Sequence, residues 1–254
     1  MNFDIVCIAT LRSELLFKTF QSFNHNLFNG DIGEHRLIIN IDLVGVQNEE
    51  DIRPELANVL SVINQFNFKN VTLRWSDKPN FAHAWFWAFS LMDDCYVFYL
   101  EEDWVLLRKV NLNRMLELFK EDSTLAHLRL SAFPSSDRTL KNWNKFTYWN
   151  GKYFEVEDND KLSIGWSGHP SMNRTNFMRQ AMSIMNWGSN PEKQIKGRRY
   201  QCQMNNLLLD NNFGVFINPS ESMQIVDIGR KWMVDNGFKK SGNKAFFTEW
   251  EKVS

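Results

Sequence analysis

The chain has 254 residues, of which 43% are hydrophobic and 23% charged, with a formal net charge of −1 and three cysteines, Cys7, Cys95 and Cys202. That length fits one large α/β domain; so few cysteines, without paired or metal-like spacing, argue against a disulfide framework and for a reducing, cytoplasmic setting; and no apolar stretch approaches the roughly 20 residues that cross a bilayer. The charge is unevenly spread: residues 1–126 hold 11 Lys and Arg against 18 Asp and Glu, net −7, whereas residues 127–254 hold 18 against 12, net +6, so an anionic partner is expected on the second half.

The run FDIVCIA at 3–9 predicts a first strand rather than a signal peptide. Residues 13–28 follow as a helix that Ser13 can cap, with Leu16, Phe20, Phe23 and Leu27 at helical spacing. Leu37–Ile41 is a second strand, and Pro54 opens a helix with Leu56, Val59, Leu60 and Ile63 on one face. A strand at Val71–Trp75, a helix at Phe81–Met92, a strand at Tyr96–Leu100, a helix at Leu112–Phe119 and a strand at His127–Ser131 continue the alternation. Such spacing implies right-handed crossovers and a mostly parallel, twisted sheet with helices on both faces.

The pattern then changes. Residues 133–162 have no helical period, and Asn150-Gly151 between two aromatic runs predicts a β-hairpin with a type I′ turn. Ser171–Met185 and Pro191–Asp210 read as helices and Gly214–Ile217 as a short strand. No repeat or linker divides the chain, so residues 1–254 are expected to form one domain, with a ligand-binding half (1–132) and an elaborated half (133–254).

The sharpest chemical signal is YVFYLEEDWVLL at 96–107, where an apolar strand runs into Glu101-Glu102-Asp103. Three adjacent carboxylates at a strand end are costly unless a positive group is bound there, and ligands of open α/β sheets sit outside the carboxyl ends of strands. Hard oxygen ligands suit Mg²⁺ or Mn²⁺ bridging phosphates. A solvated acidic turn is the plain alternative.

Strand–Glu-Glu-Asp-Trp resembles the acidic DXD region of GT-A fold glycosyltransferases. Three further segments resemble that family in order: CIATLRSELLFKTFQSF (7–23), the first strand, nucleotide loop and helix; NFAHAWFWAFS (80–90), a donor-facing helix; and VDIGRKW (226–232), a late segment usually written Val-x-His-Ile-Gly. The resemblance implies a nucleotide-sugar donor, a UDP-sugar first, and a divalent metal. It places Thr10 and Arg12 in the nucleotide pocket, Asp42 at the base or ribose, and Asn80 and His83 near the donor. It puts Glu101 or Glu102 on the ribose or sugar and Asp103 on the metal, with Glu101 as a further metal candidate. For Asn80 a plain helix cap is the competing reading. Asp227 stands where relatives carry a metal-binding His. It either serves as the ligand itself or leaves the diphosphate to Arg230 and Lys231. A general base is implied before the late helix, with Glu192 the first candidate and Asp210 the second; opposition to a helix dipole is the plain reading of Glu192. GWSGHPSMNR (165–174) resembles an acceptor floor, with Trp166 to stack on a sugar or base and His169 to reach a hydroxyl or phosphate, against core roles for both.

Basic and aromatic residues interleave in the second half: Arg138, Lys141, Trp143, Lys145, Tyr148, Trp149 and Lys152, then Lys193, Lys196, Arg198 and Arg199. That mixture suits phosphate neutralisation and base stacking. The chain is similar in size and composition to compact phage-type and TET-associated glycosyltransferases, which implies a hydroxymethylated base in double-stranded DNA as acceptor, flipped out of the duplex, and the host cytoplasm as location. The alternatives are transfer to a surface polysaccharide or other glycan, a nucleotidyltransferase, disfavoured by the glycine-free loop Ala9–Arg12, and a non-catalytic nucleic-acid-binding protein of the same fold.

Overall fold

The structure is a computed structural model that describes residues 3–76, 78–134, 146–164, 166–195, 202–240 and 250–252. The first half follows the expected alternation. Strand β1 (Asp4–Thr10), helix α1 (Ser13–Asn26), β2 (Arg36–Asp42), α2 (Ile52–Gln65), β3 (Asn70–Ser76), α3 (Phe81–Ser90) and β4 (Tyr96–Glu101) run in order. A short β5 (Trp104–Leu106), α4 (Leu112–Glu121) and β6 (Leu125–Arg129) follow. The second half holds β7 (Thr147–Trp149), β8 (Phe154–Val156), α5 (Lys161–Ile164), β9 (Ser171–Arg174), α6 (Thr175–Ile184), α7 (Pro191–Ile195), α8 (Cys202–Leu209), β10 (Asn212–Val215), β11 (Ile225–Asp227), α9 (Gly229–Asp235), β12 (Phe238–Lys240) and β13 (Trp250–Lys252).

Among the described residues the main sheet has nine strands in the order β3-β2-β1-β4-β9-β6-β10-β8-β7. The first four are mutually parallel, with Thr10 opposite Asp42 and Ile8 opposite Glu101. β9 then enters antiparallel between β4 and β6. β6 and β10 are again parallel, and the β7–β8 hairpin closes that edge antiparallel.

Each core strand buries both faces, as a helix-covered sheet requires. Ile5, Cys7, Leu37, Ile39, Phe98 and Leu100 pack with Phe20 and Phe23 of α1, Val59 and Ile63 of α2, and Met115 and Phe119 of α4. Their neighbours Val6, Ile8, Ile38, Val97 and Tyr99 face Trp85 and Phe86 of α3 and Phe177 and Met178 of α6. The abundant Phe and Trp residues therefore mostly fill two thick hydrophobic layers.

Three local expectations are corrected, and a fourth is met over the described residues. Residues 171–174 form strand β9, not a helical turn, because three buried residues, Ser171, Met172 and Asn173, fill the gap between β4 and β6; the helix starts at Thr175. Of the helix expected over 191–210, α7 covers 191–195 and α8 covers 202–209. Ser13 does not cap α1; Arg12 occupies the cap position, and the Ser13 amide donates to Glu55 Oε1 (2.8 Å). The hairpin forms, but only Gly151 of the pair has positive φ (91°), so the turn is not type I′. Instead the Asn150 side chain accepts the amides of Lys152 and Tyr153 (3.0 Å each), an Asx turn in a longer loop.

The three cysteines are free thiols, Cys7 buried and the other two exposed. Among the described residues, no helix is long and apolar enough to cross a membrane.

Candidate functional site

In the order β3-β2-β1-β4, the chain winds outward from β1 to β3 and returns to place β4 on the other side of β1. The carboxyl ends of β1 and β4 thus flank the point where the sheet changes winding direction, the crevice where open α/β sheets bind ligands. The β1–α1 loop brings Thr10 and Arg12 there, and the β4–β5 turn brings Glu101, Glu102 and Asp103. VDIGRKW joins them, because β11 pairs antiparallel with β5 and sets Asp227 opposite Trp104. The Ile228 amide donates to the Asp103 carbonyl (2.8 Å) and the Gly229 amide to Asp227 Oδ1 (2.9 Å). A Cβ on Gly229 would collide with the Asp103 carboxylate, so this position accepts only glycine.

The three acids have different surroundings. Glu102, 3% exposed, accepts Thr10 Oγ1 (2.7 Å) and Arg12 Nε (3.0 Å) on one oxygen and also pairs with Arg12 Nη2. Its backbone oxygen accepts Thr19 Oγ1 (2.6 Å). Glu102 is therefore an internal strut; its expected contact with the donor is corrected, because its carboxylate is enclosed and held by Thr10 and Arg12. Arg12 spans the turn, also giving Nη2 to Asp103 Oδ2 (2.9 Å). Trp250 and Trp232 cover its guanidinium at 4.8 and 5.5 Å, a double cation–π contact.

Glu101 turns the other way, accepting the Tyr99 hydroxyl at 2.7 Å. Glu192 at the start of α7 meets it, accepting the Gly168 amide at 2.8 Å. A Cβ on Gly168 would touch both carboxylates, so glycine there lets the two acids converge. Burial, with the charges of Asp103 and Glu192, pushes the Glu101 carboxyl well above the usual range. Burial, then Glu102 and Asp227, push Asp103 up to about 6, against the pull of Arg12. The turn thus holds more negative charge than Arg12 balances.

The metal question turns on that excess. Among the described residues, no group of three or more His, Cys, Asp or Glu is arranged to hold a metal by itself. The Asp103 and Asp227 carboxylates nevertheless meet at Gly229. Two hard carboxylates are the donor type that suits Mg²⁺ or Mn²⁺, which keep their remaining places for phosphate and water.

The other expected residues scatter. Asp42 is 2% exposed at the end of β2 and accepts the Asn40 amide (3.0 Å). Asn80 caps α3, accepting the His83 amide (3.1 Å), and His83 lies exposed on the first turn. Arg230 and Lys231 point to solvent and pair with Asp227 (3.1 Å) and Asp235 (2.7 Å) on their own segment. Trp166 is corrected as an acceptor platform: it is fully buried, donates to Asn173 Oδ1 (2.9 Å) and packs on Trp85 and Tyr99. His169 is partly exposed, 4.9 Å from the Trp104 ring, and its Nδ1 meets Arg129 Nη1 at 3.2 Å. Asp210 is corrected as a base: it is exposed just before β10, at the opposite end of the sheet from the acidic turn, about 17 Å of strand away. Trp149 lies on β7, the far edge strand, five places from β4. Lys196, Arg198 and Arg199, like Arg138, Lys141, Trp143 and Lys145, lie outside the described residues.

Tyr99 and the Arg129–His169 pair were not anticipated. Both left signals: Tyr99 shares a strand face with Glu101 by simple alternation, and Arg129 is a lone cation in an apolar strand.

No family model and no curated protein matches this sequence. Solved structures do. S. aureus TarS 1-349 superposes with a TM-score of 0.51 at 10% identity over 91% of this chain and 62% of that one. The same fragment in complex with UDP gives 0.50 at 12% identity over 88% and 59%. The longer S. aureus TarS gives 0.50 at 10% identity over 88% of this chain and 36% of that one. The chain thus spans between about a third and three fifths of these relatives' lengths, and what it shares with them is the GT-A architecture, a helix-flanked and largely parallel sheet.

Proposed function

We propose that the chain is a glycosyltransferase that moves a sugar from a nucleotide-sugar donor, foremost a UDP-sugar, to a hydroxyl acceptor. The observation that carries this reading is the acidic turn at the winding reversal between β1 and β4, where Asp103 and Asp227 meet beside Arg12. A fold shared with a TarS fragment that holds UDP supports the choice of donor.

In this reading Asp103 and Asp227 would hold a divalent cation, which when bound would neutralise the donor diphosphate. Asp42, at the end of β2, faces the nucleoside side. Glu192 accepts the proton of the acceptor hydroxyl as that oxygen bonds to the sugar's anomeric carbon and the bond to the diphosphate breaks, leaving a nucleoside diphosphate. The Gly168 amide orients the Glu192 carboxylate. Burial of Glu101 favours its protonated form, so it sits beside Glu192 without a second full charge.

A hydroxymethylated base in double-stranded DNA is the acceptor suggested by the basic, aromatic stretches of the second half. That suggestion draws on the sequence at 138–152 and 193–199, where Tyr148 and Trp149 are exposed; a glycan is the alternative acceptor. The test is to incubate the protein with a panel of nucleotide sugars, with Mn²⁺ or chelator, and with hydroxymethylcytosine DNA or glycan acceptors, reading mass gain and donor hydrolysis. Sugar transfer or donor hydrolysis that disappears in Asp103→Ala supports the reading; no response to any donor overturns it.

A further inference from the structure

Trp187 lies outside the acidic site, on the loop between α6 and α7, and is 49% exposed. Its ring nevertheless lies flat on Phe86 of α3, with centroids 5.1 Å and planes 11° apart. The loop is held in shape from below by buried Gln194. Gln194 Oε1 accepts the Asn186 amide (2.7 Å), and Gln194 Nε2 donates to the carbonyls of Asn186 and Ser189 (2.9 Å each). The Gly188 amide closes the loop onto Asn186 Oδ1 (2.8 Å). An exposed tryptophan loses the free energy that burial would provide. Here a polar clamp fixes it in water, with one ring face covered and the other open.

Beside it runs a groove of about 360 Å³, within the usual range of ligand sites. Met182 and Met185 supply apolar floor, and Ser90, Ser183 and Arg179 supply hydroxyls and a guanidinium. A flat aromatic face rimmed by small hydrogen-bonding groups suits a pyranose ring, whose C–H face is apolar and whose edge carries hydroxyls. The charge balance disfavours a nucleic acid. Among the described residues Arg179 is the one ionisable group lining the groove, it is partly committed to the Met92 carbonyl, and phosphate chains are held by several cations. The loop also connects to the acidic site along the chain: Glu192 is five residues beyond Trp187, so their Cα atoms are at most about 18 Å apart.

We infer that the groove at Trp187 is a binding subsite for an uncharged oligosaccharide, the far end of the acceptor whose reacting hydroxyl lies at Glu192. The placement of the reacting end rests on the glycosyltransferase reading; the binding itself does not.

Wild-type protein, Trp187→Ala and Trp187→Phe are titrated calorimetrically with neutral oligosaccharides of one to six sugars, and separately with UDP and Mn²⁺. At least one oligosaccharide of three or more sugars is expected to bind. Trp187→Ala should weaken that binding about tenfold, Trp187→Phe should retain most of it, and UDP affinity should be the same in all three proteins. No oligosaccharide binding, equal binding by Trp187→Ala, or Trp187-dependent binding of hydroxymethylcytosine DNA instead would overturn the inference. Oligosaccharide binding that depends on Trp187 in a protein that binds no nucleotide would uphold the groove and remove the glycosyltransferase reading.

Discussion

The two ends of the main sheet are both rich in acids, yet they behave differently. At the amino ends of the strands, Asp4 accepts the amides of Asp93 (2.8 Å) and Asp94 (3.4 Å), while Arg36 pairs with Asp93, whose side chain is 80% exposed. Backbone donors, Arg36 and solvent take up most of that charge, although burial and the charges of Asp4 and Asp93 still push Asp94 upward. At the carboxyl ends, Glu101, Asp103 and Glu192 are packed near one another, and the carboxyls of Glu101 and Asp103 are pushed upward by burial and mutual repulsion. A count of acids does not separate the two ends. What separates them is how deeply the unmet charge is buried: Asp94 is partly open to solvent, whereas Glu101 and Asp103 are more deeply enclosed.

The largest expected effect divides the carboxyl end itself. Glu102→Ala leaves Arg12 buried without its main partner, and denaturant unfolding should show a loss of about 3–5 kcal/mol. If stability is unchanged, Glu102 is no strut. Next, Asp103→Ala should lower sugar transfer about 100-fold while the melting temperature holds or rises, since a repelled carboxylate is removed. Asp4→Ala is the counterpart at the other end: it should cost about 1–3 kcal/mol of stability by orphaning two amides and leave transfer per folded molecule as it was. Loss of transfer in Asp4→Ala, with Asp103→Ala active, would reverse the assignment of the two ends.

An effect that appears only below neutral pH lies between the ends. His127 is buried in mid-sheet against Asn173 Oδ1 (2.8 Å), and burial pushes its pKa down to about 3. The folded form therefore resists a proton that the unfolded chain accepts near pH 6.5. Its neutral-pH contribution is complete above that value and is lost as the pH falls towards 3, at no more than about 1.4 kcal/mol per pH unit. His127→Gln should flatten this part of the stability profile by about one proton; an unchanged slope would show that other groups set it.

The first half was legible because its elements are local. Each strand from β1 to β4 announces itself by an apolar run, and each crossover returns beside its predecessor. The acidic turn was legible for the same reason, since one contiguous motif carries it. β9 was not, because SMNR reads equally well as the start of the helix that follows, and only the distant strands at 96–101 and 125–129 make it a strand. The roles of Glu101 and Glu102 were also hidden: adjacent residues point to opposite sides, and which side holds Arg12 is a tertiary fact. Trp166 and Trp187 show the same limit, since both are tryptophans near the same motif, one fully buried and one half exposed.

The position of β9 also bears on synthesis. β4 and β6 leave the ribosome well before residues 171–174, yet neither has its final neighbour until β9 slides between them. A nascent chain that folded its first four strands in that interval would expose an open, strongly apolar edge at β4, the kind of edge that recruits other strands. Closing it requires a strand some seventy residues downstream in sequence, which makes assembly of the middle of the sheet slow relative to its first half. Expression yield, rather than the stability of the finished molecule, is therefore where substitutions in β9 should first be felt.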